Sequence, residues 1–261
     1  MSSLSGLSPS IDMVSSDLFK IAKQSLDSPH DRYNIGTYKE GSQHLLLKML
    51  YEPDTSKHEI PYGGYIADVL NEKGITEIQT VGFRALHDKL AVFLESFPVT
   101  VVYPVCEKKR TVWVEPTTGE SSFGRTVTYS KTRYKLISEL LSIVEHFGAF
   151  NLCIHAVVLR ADVYKSLDGY GKDRKKRATK LDTVPEELLE IIELWDADDI
   201  RDFLPFKAGE RLTSAQISTA LGLKKIPLWR AIKFLTITEV LLPVGKKGNG
   251  IIYEFTPRED K

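Results

Sequence analysis

Between residues 42 and 51 the apolar side chains Leu45, Leu46 and Met49 recur at helical spacing, and Glu52-Pro53-Asp54 ends the pattern, which predicts a first core helix. Three short alternating runs follow, at 57–61, 65–70 and 75–80, separated by Gly63-Gly64 and by Asn71-Glu72-Lys73-Gly74. Turns of that length predict an antiparallel meander. Phe83, Leu86, Leu90, Phe93 and Leu94 share one face of a helix predicted over 83–97, which Pro98 terminates. The unbroken apolar run 99–105 reads as a strand buried on both faces. The order up to Val105 is therefore helix, three strands, helix, strand.

Beyond it come a strand at 111–115, a helix over about 131–147 with Ile137, Leu141 and Val144 inward and Gly148 as its cap, and a buried strand at 151–159. Residues 12–24 carry the pattern of a short helix in a peripheral N-terminal stretch. After Asp168 the composition turns basic, with Lys172, Arg174, Lys175, Lys176, Arg177 and Lys180, which marks a domain boundary.

In the last third, Thr213-Ser214-Ala215-Gln216 is a capping box and Gly222 a C-cap for one compact helix. Lys224-Lys225-Ile226 then turns through Pro227 into a second helix, with Leu228, Ala231, Ile232 and Leu235 inward and Trp229, Arg230 and Lys233 outward. The runs 240–244 and 251–255 flank Gly245-Lys246-Lys247-Gly248-Asn249-Gly250, a hairpin with a basic tip. Helix, turn, helix, hairpin is similar to a winged helix, whose second helix commonly enters the major groove while the wing touches phosphate.

Charge narrows little: 35 basic residues balance 35 acidic ones, so a surface for a polyanion has to be local. The two cysteines, Cys106 and Cys153, lie far apart and form no CxxC, against a disulfide scaffold or a cysteine-rich zinc site. No signal-peptide pattern opens the chain, and no run approaches the ~18 apolar residues of a membrane span. A soluble cytoplasmic protein is expected. His30, His58, His87, His146 and His155 show no metal-ligand spacing with one another or with cysteine, and no role is assigned to them.

Asp68 lies in Tyr65-Ile66-Ala67-Asp68-Val69-Leu70, and Glu77 and Gln79 lie in Ile75-Thr76-Glu77-Ile78-Gln79-Thr80. Each is a polar side chain set into an apolar strand, costly unless something positive answers it. Alternation puts Glu77 and Gln79 on one face, where Asp68 can join them across the hairpin. Two carboxylates so close repel each other, and a divalent cation with oxygen ligands, Mg²⁺ or Mn²⁺, resolves the conflict. Glu40, with His44 and Lys48 at i+4 and i+8, offers a third acid and two accessory groups along one helical stripe.

This helix with Glu, strand with Asp and strand with Glu-x-Gln, followed by helix and strand, resembles the PD-(D/E)XK (restriction endonuclease-like) nuclease superfamily over residues 36–105. The resemblance implies an α/β restriction-endonuclease-like core, a mixed sheet flanked by helices in the order αβββαβ, followed by the winged helix-turn-helix domain. It implies that Asp68, Glu77 and the Ile78 carbonyl bind the metal, that Glu40 is the accessory acid, and that Gln79 stands where the family usually has Lys. Lys48 or Lys89 would then lend the missing positive charge. Domains are expected at 36–168 and 185–261, with 1–35 an extension and 169–184 a basic connector.

The chain also resembles a family of prokaryotic proteins sharing the Glu77-Ile78-Gln79-Thr80 segment and the hairpin glycines and lysines, and by architecture the end-cleaving endonuclease subunit of heteromeric transposases. A metal-dependent DNA endonuclease is the leading expectation. Phosphate contacts are expected at Lys172, Arg174, Lys175, Lys176 and Arg177, with Trp229, Arg230, Lys233, Lys246 and Lys247 at the winged helix. A homodimer or larger protein complex is compatible with it. The rivals are a nuclease fold that binds or assembles without cutting, favoured by Gln79, and a winged-helix regulator with a ligand-sensing α/β domain, which requires an apolar pocket.

Overall fold

A chain that alternates short apolar runs with amphipathic stripes has to stack helices on a sheet, and the computed structural model does so over residues 16–24, 41–169 and 177–258, the residues it describes. The elements are α1 (Ser16–Gln24), α2 (Ser42–Tyr51), β1 (His58–Tyr62), β2 (Tyr65–Asn71), β3 (Gly74–Ile78), α3 (His87–Phe93), β4 (Val99–Val114), β5 (Ser121–Thr128), α4 (Lys135–Leu140), β6 (Leu152–Ser166) and β7 (Thr179–Leu194). They continue with α5 (Ala197–Phe203), β8 (Arg211–Thr213), α6 (Ser214–Leu221), α7 (Lys225–Ile237), β9 (Leu241–Lys247) and β10 (Gly250–Phe255).

The larger sheet runs β1-β2-β3-β4-β6-β7, with β5 also paired to β4. β1, β2 and β3 are antiparallel neighbours, as the meander predicts, while β3–β4 and β4–β6 are parallel and β6–β7 is antiparallel. The fold is thus α/β with a mixed sheet, and helices flank it. Phe19, Ala22, Leu46, Leu47 and Leu50 of α1 and α2 pack with Ile78, Val102, Val157 and Leu159. Phe83, Leu86, Leu90 and Phe93, together with Leu136, Ile137 and Leu140 of α4, cover the other face over Ile75, Val101 and Ile154. Val101 and Val102 are both fully buried, so the middle strand is covered on both sides.

Several elements differ from expectation for physical reasons. The helix expected at 83–97 is a 3-10 turn at Arg84–Leu86 followed by α3, and that expected at 131–147 is α4 between 3-10 turns, although Gly148 does take the left-handed φ of +89. The runs 99–105 and 111–115 are one strand, because two of the charged residues between them, Glu107 and Arg110, are paired: Arg133 Nε with Glu107 Oε1 at 2.5 Å and Arg110 Nε with the buried Asp162 Oδ1 at 3.0 Å. Pro104 is tolerated inside β4 because backbone groups of the even-numbered residues in this stretch face the β3 edge, and it falls between Val102, where β3 pairing ends, and Lys108, where β5 pairing begins.

β7 occupies part of the expected basic connector, and the boundary expected between 184 and 185 falls inside this strand. Lys172, Arg174, Lys175 and Lys176 lie outside the described residues, as does Glu40. Ile200, Leu212, Ile217, Phe234 and Phe255 of the C-terminal part belong to the same apolar cluster as α3 and α4. In that part β8, β10 and β9 form a small antiparallel sheet beside α6 and α7. The capping box of Thr213 with Gln216 and the left-handed Gly222 bound α6 as expected. No helix among the described residues is long and apolar enough to cross a membrane.

Gly74 makes the turn into β3 at a φ of +119, and a Cβ there would meet the Pro98 carbonyl oxygen at 2.2 Å. Gly74→Ala is expected to lower stability by about 2 kcal/mol or more, read as a shifted urea midpoint. An unchanged midpoint would mean that the turn relaxes away from Pro98 at no cost.

Candidate functional site

The β2–β3 ladder is regular from the turn as far as Val69 opposite Thr76. One residue further, side chains replace the ladder: the Asp68 N–H donates to Glu77 Oε1 at 3.2 Å, and the Ile78 N–H donates to Asp68 Oδ2 at 2.7 Å. The two strands are held apart there by their own carboxylates. The expectation that Asp68 and Glu77 meet across the hairpin is met.

Glu77 is fully buried, and Lys89 of α3 donates to its Oε2 at 2.8 Å. Burial first, and the neighbouring Asp68 second, push the Glu77 carboxyl up from its ordinary 4.5 to about 7, against the opposing pull of Lys89. From the other layer, His44 Nε2 of α2 comes within 3.3 Å of Asp68 Oδ2. Both helices thus present a nitrogen to the carboxylate pair.

Gln79 lies just past the end of β3, half-buried, with its N–H on the Val102 carbonyl at 2.9 Å. Alternation keeps its side chain on the Glu77 side. Since the Ile78 N–H points toward β2, its carbonyl points the same way, toward the opened junction. Among the described residues no third carboxylate, imidazole or thiol forms with the two acids a group whose ligand atoms all lie within 4.8 Å of one another. The remaining expected acid, Glu40, is outside those residues.

Lys48 bonds to a different carboxylate. It is buried and donates to Glu59 Oε1 at 2.6 Å. Sequence reasoning missed Glu59, which the register places opposite Asp68, between the pairs His58–Val69 and Ile60–Ala67. It has a left-handed φ of +54, uncommon for a non-glycine residue. The alternating pattern of β1 carries no sign of this.

Of the residues expected to touch nucleic acid, Trp229, Lys233, Lys246 and Lys247 are exposed, and Lys233 Nζ stacks 5.2 Å from the Trp229 ring centre. Arg177 is exposed too. Arg230 is a correction: its Nε donates to the Ser138 carbonyl and its second nitrogen to Ser142 Oγ, both at 2.8 Å. It ties α7 to α4 and the turn after it, because Arg230 lies at the edge of α7 that meets that helix, while Trp229 and Lys233 stay outward.

Comparison with known proteins gives two likenesses. The profile of a family described as "Domain of unknown function (DUF8091)" matches residues 41–195, which takes in the large sheet and the carboxylate pair. An uncharacterized protein of Treponema pallidum (strain Nichols) is 26% identical over 232 residues, 87% of this chain and 89% of that protein. No solved structure matches the chain.

Proposed function

The chain belongs to the DUF8091 family, and we propose for it, from its own site, the activity of a divalent-metal-dependent DNA endonuclease that hydrolyses phosphodiester bonds. One observation carries the reading. Two carboxylates from adjacent strands meet where their ladder opens, with a lysine on one and an imidazole beside the other.

The donor set fits Mg²⁺ or Mn²⁺, since Asp68, Glu77 and the Ile78 carbonyl offer only oxygen, and such ions commonly take one or two protein carboxylates with water and substrate phosphate completing the shell. When bound, the ion supplies Lewis-acid polarisation of a phosphoryl oxygen. Lys89 favours the ionised form of Glu77 despite its burial. Gln79 has an amide that donates to a phosphate oxygen and accepts from a water at once, which orients both without removing a proton.

The order α2, β1, β2, β3, α3, β4, with β3 parallel to β4, supports the likeness to restriction-endonuclease-like cores. At the other end, α6, α7 and the β9–β10 hairpin support a winged helix, with Trp229, Lys233, Lys246 and Lys247 as its DNA-facing residues. Arg230 is left out of that set.

The test is cleavage of supercoiled plasmid and linear duplex in Mg²⁺ or Mn²⁺ against chelator. Nicking or linearisation that needs the ion is expected. Intact DNA in every condition, with binding retained, would leave a protein that holds DNA without cutting it. Lys89→Met is expected to slow cleavage about 100-fold, the usual effect of removing one charged donor from a site of this kind. A rate equal to wild type would remove Lys89 from the mechanism.

A further inference from the structure

A second cluster lies away from the carboxylate pair. Cys153 and His155 are two residues apart on one face of β6, and Glu193 of β7 is directly opposite His155. The thiol and imidazole are almost wholly buried, whereas the Glu193 side chain keeps 18% of its surface. One ligand atom from each lies within 4.8 Å of the other two. The sequence hides the cluster because Glu193 joins only through strand pairing, 38 residues after His155.

We propose that Cys153, His155 and Glu193 form a binding site for a zinc-like transition-metal ion, distinct from the Asp68–Glu77 pair. Distance is the first argument. His155 Nε2 and Glu193 Oε1 are 3.8 Å apart, too far for a hydrogen bond. Ligands bonded to one tetrahedral ion at ~2.0–2.3 Å stand about 3.3–3.8 Å from each other, so the gap suits an ion between them.

The outer contacts are the second argument. Tyr51, the last residue of α2, meets His155 Nδ1 at 2.8 Å, which leaves Nε2 turned toward Glu193. Trp195 Nε1 donates to Glu193 Oε2 at 3.2 Å, which leaves Oε1 facing His155. Metal-binding side chains are commonly oriented in this way by a bond to their other polar atom.

Charge is the third. The thiol and imidazole are buried, so any charge brought between them has to be balanced there. A divalent ion would displace one proton, from Cys153, and the thiolate and the Glu193 carboxylate together would cancel its two charges. Sulfur and imidazole favour zinc, cobalt or nickel over magnesium. The partly exposed Glu193 gives the route in.

The full chain, stripped with chelator and titrated with Co²⁺, tests this. A thiolate-to-cobalt charge-transfer band is expected, saturating at one equivalent, bleached by Zn²⁺ and lost in Cys153→Ser. It should persist in Cys106→Ser, which alters the other free thiol, and in Asp68→Asn. Glu193→Gln, a near-isosteric change at the site's edge, should weaken Co²⁺ binding by at least about tenfold, and Tyr51→Phe by about tenfold. No band in the wild type at excess Co²⁺, a band that survives in folded Cys153→Ser, or unchanged binding in Glu193→Gln would overturn the proposal.

Discussion

Asp68→Asn is expected to reduce metal-dependent cleavage by at least about 1,000-fold, roughly 4 kcal/mol of transition-state stabilisation, while leaving the fold intact. Asp68 Oδ2 accepts the Ile78 N–H, and an asparagine oxygen can keep that bond, so the opened end of the ladder survives. What disappears is half of the negative charge facing the cation. Single-turnover cleavage in Mn²⁺, with urea midpoints to check folding, measures the effect. A variant within tenfold of wild type would show that Asp68 shapes the strand junction and has no part in hydrolysis.

The second large effect concerns stability and needs no substrate. Glu77 titrates at about 7 in the folded chain and near its ordinary 4.5 when unfolded. Between those values the folded state holds a proton that the unfolded state has released, so stability falls as pH rises from about 4.5 to 7. The shift corresponds to about 3 kcal/mol.

His155 acts in the opposite sense. Its folded pKa of about 4 lies below its ordinary 6.5, so its contribution is lost as pH falls through that window. The two slopes oppose each other in wild type. In the difference between wild type and Glu77→Gln, however, His155 drops out. In chelator, that difference should shift toward the variant by about 2–3 kcal/mol between pH 4.5 and 8, as wild type loses the stability of a protonated Glu77 and the glutamine does not. Parallel curves for the two proteins would mean that Glu77 ionises as easily in the fold as in water.

Much of the core was legible because its signals are local. Phe83, Leu86, Leu90 and Phe93 mark a helix face, the run from Val99 marks a doubly covered strand, and two glycine-rich turns fix the meander that brings Asp68 to Glu77. β7 was not legible. Its Glu186-Glu187-Leu188-Leu189-Glu190-Ile191-Ile192-Glu193 doublets lack strict alternation, because register shifts opposite Val158/Leu159, Arg160/Ala161 and Tyr164/Lys165 reset the parity along the strand.

The remaining gaps in the site have the same origin. Lys48 and Lys89 stood equal in sequence as sources of positive charge, and only packing decides that Lys48 goes to Glu59 and Lys89 to Glu77. Arg230 looked outward because a helical stripe shows which face is polar but not that a carbonyl on another helix awaits it. The Cys153, His155 and Glu193 cluster depends on strand register, which no spacing within one segment reveals.

The most direct test of the carboxylate pair requires no knowledge of the cognate DNA: Mn²⁺ binding to the chelator-treated full chain, followed by electron paramagnetic resonance with Mg²⁺ as competitor. Wild type should bind Mn²⁺ that Mg²⁺ displaces, and Asp68→Asn and Glu77→Gln should each weaken that binding by at least about tenfold. A wild-type chain that binds no Mg²⁺-displaceable Mn²⁺, or variants that bind it as tightly as wild type, would contradict the assignment of Asp68 and Glu77 as a divalent-cation site.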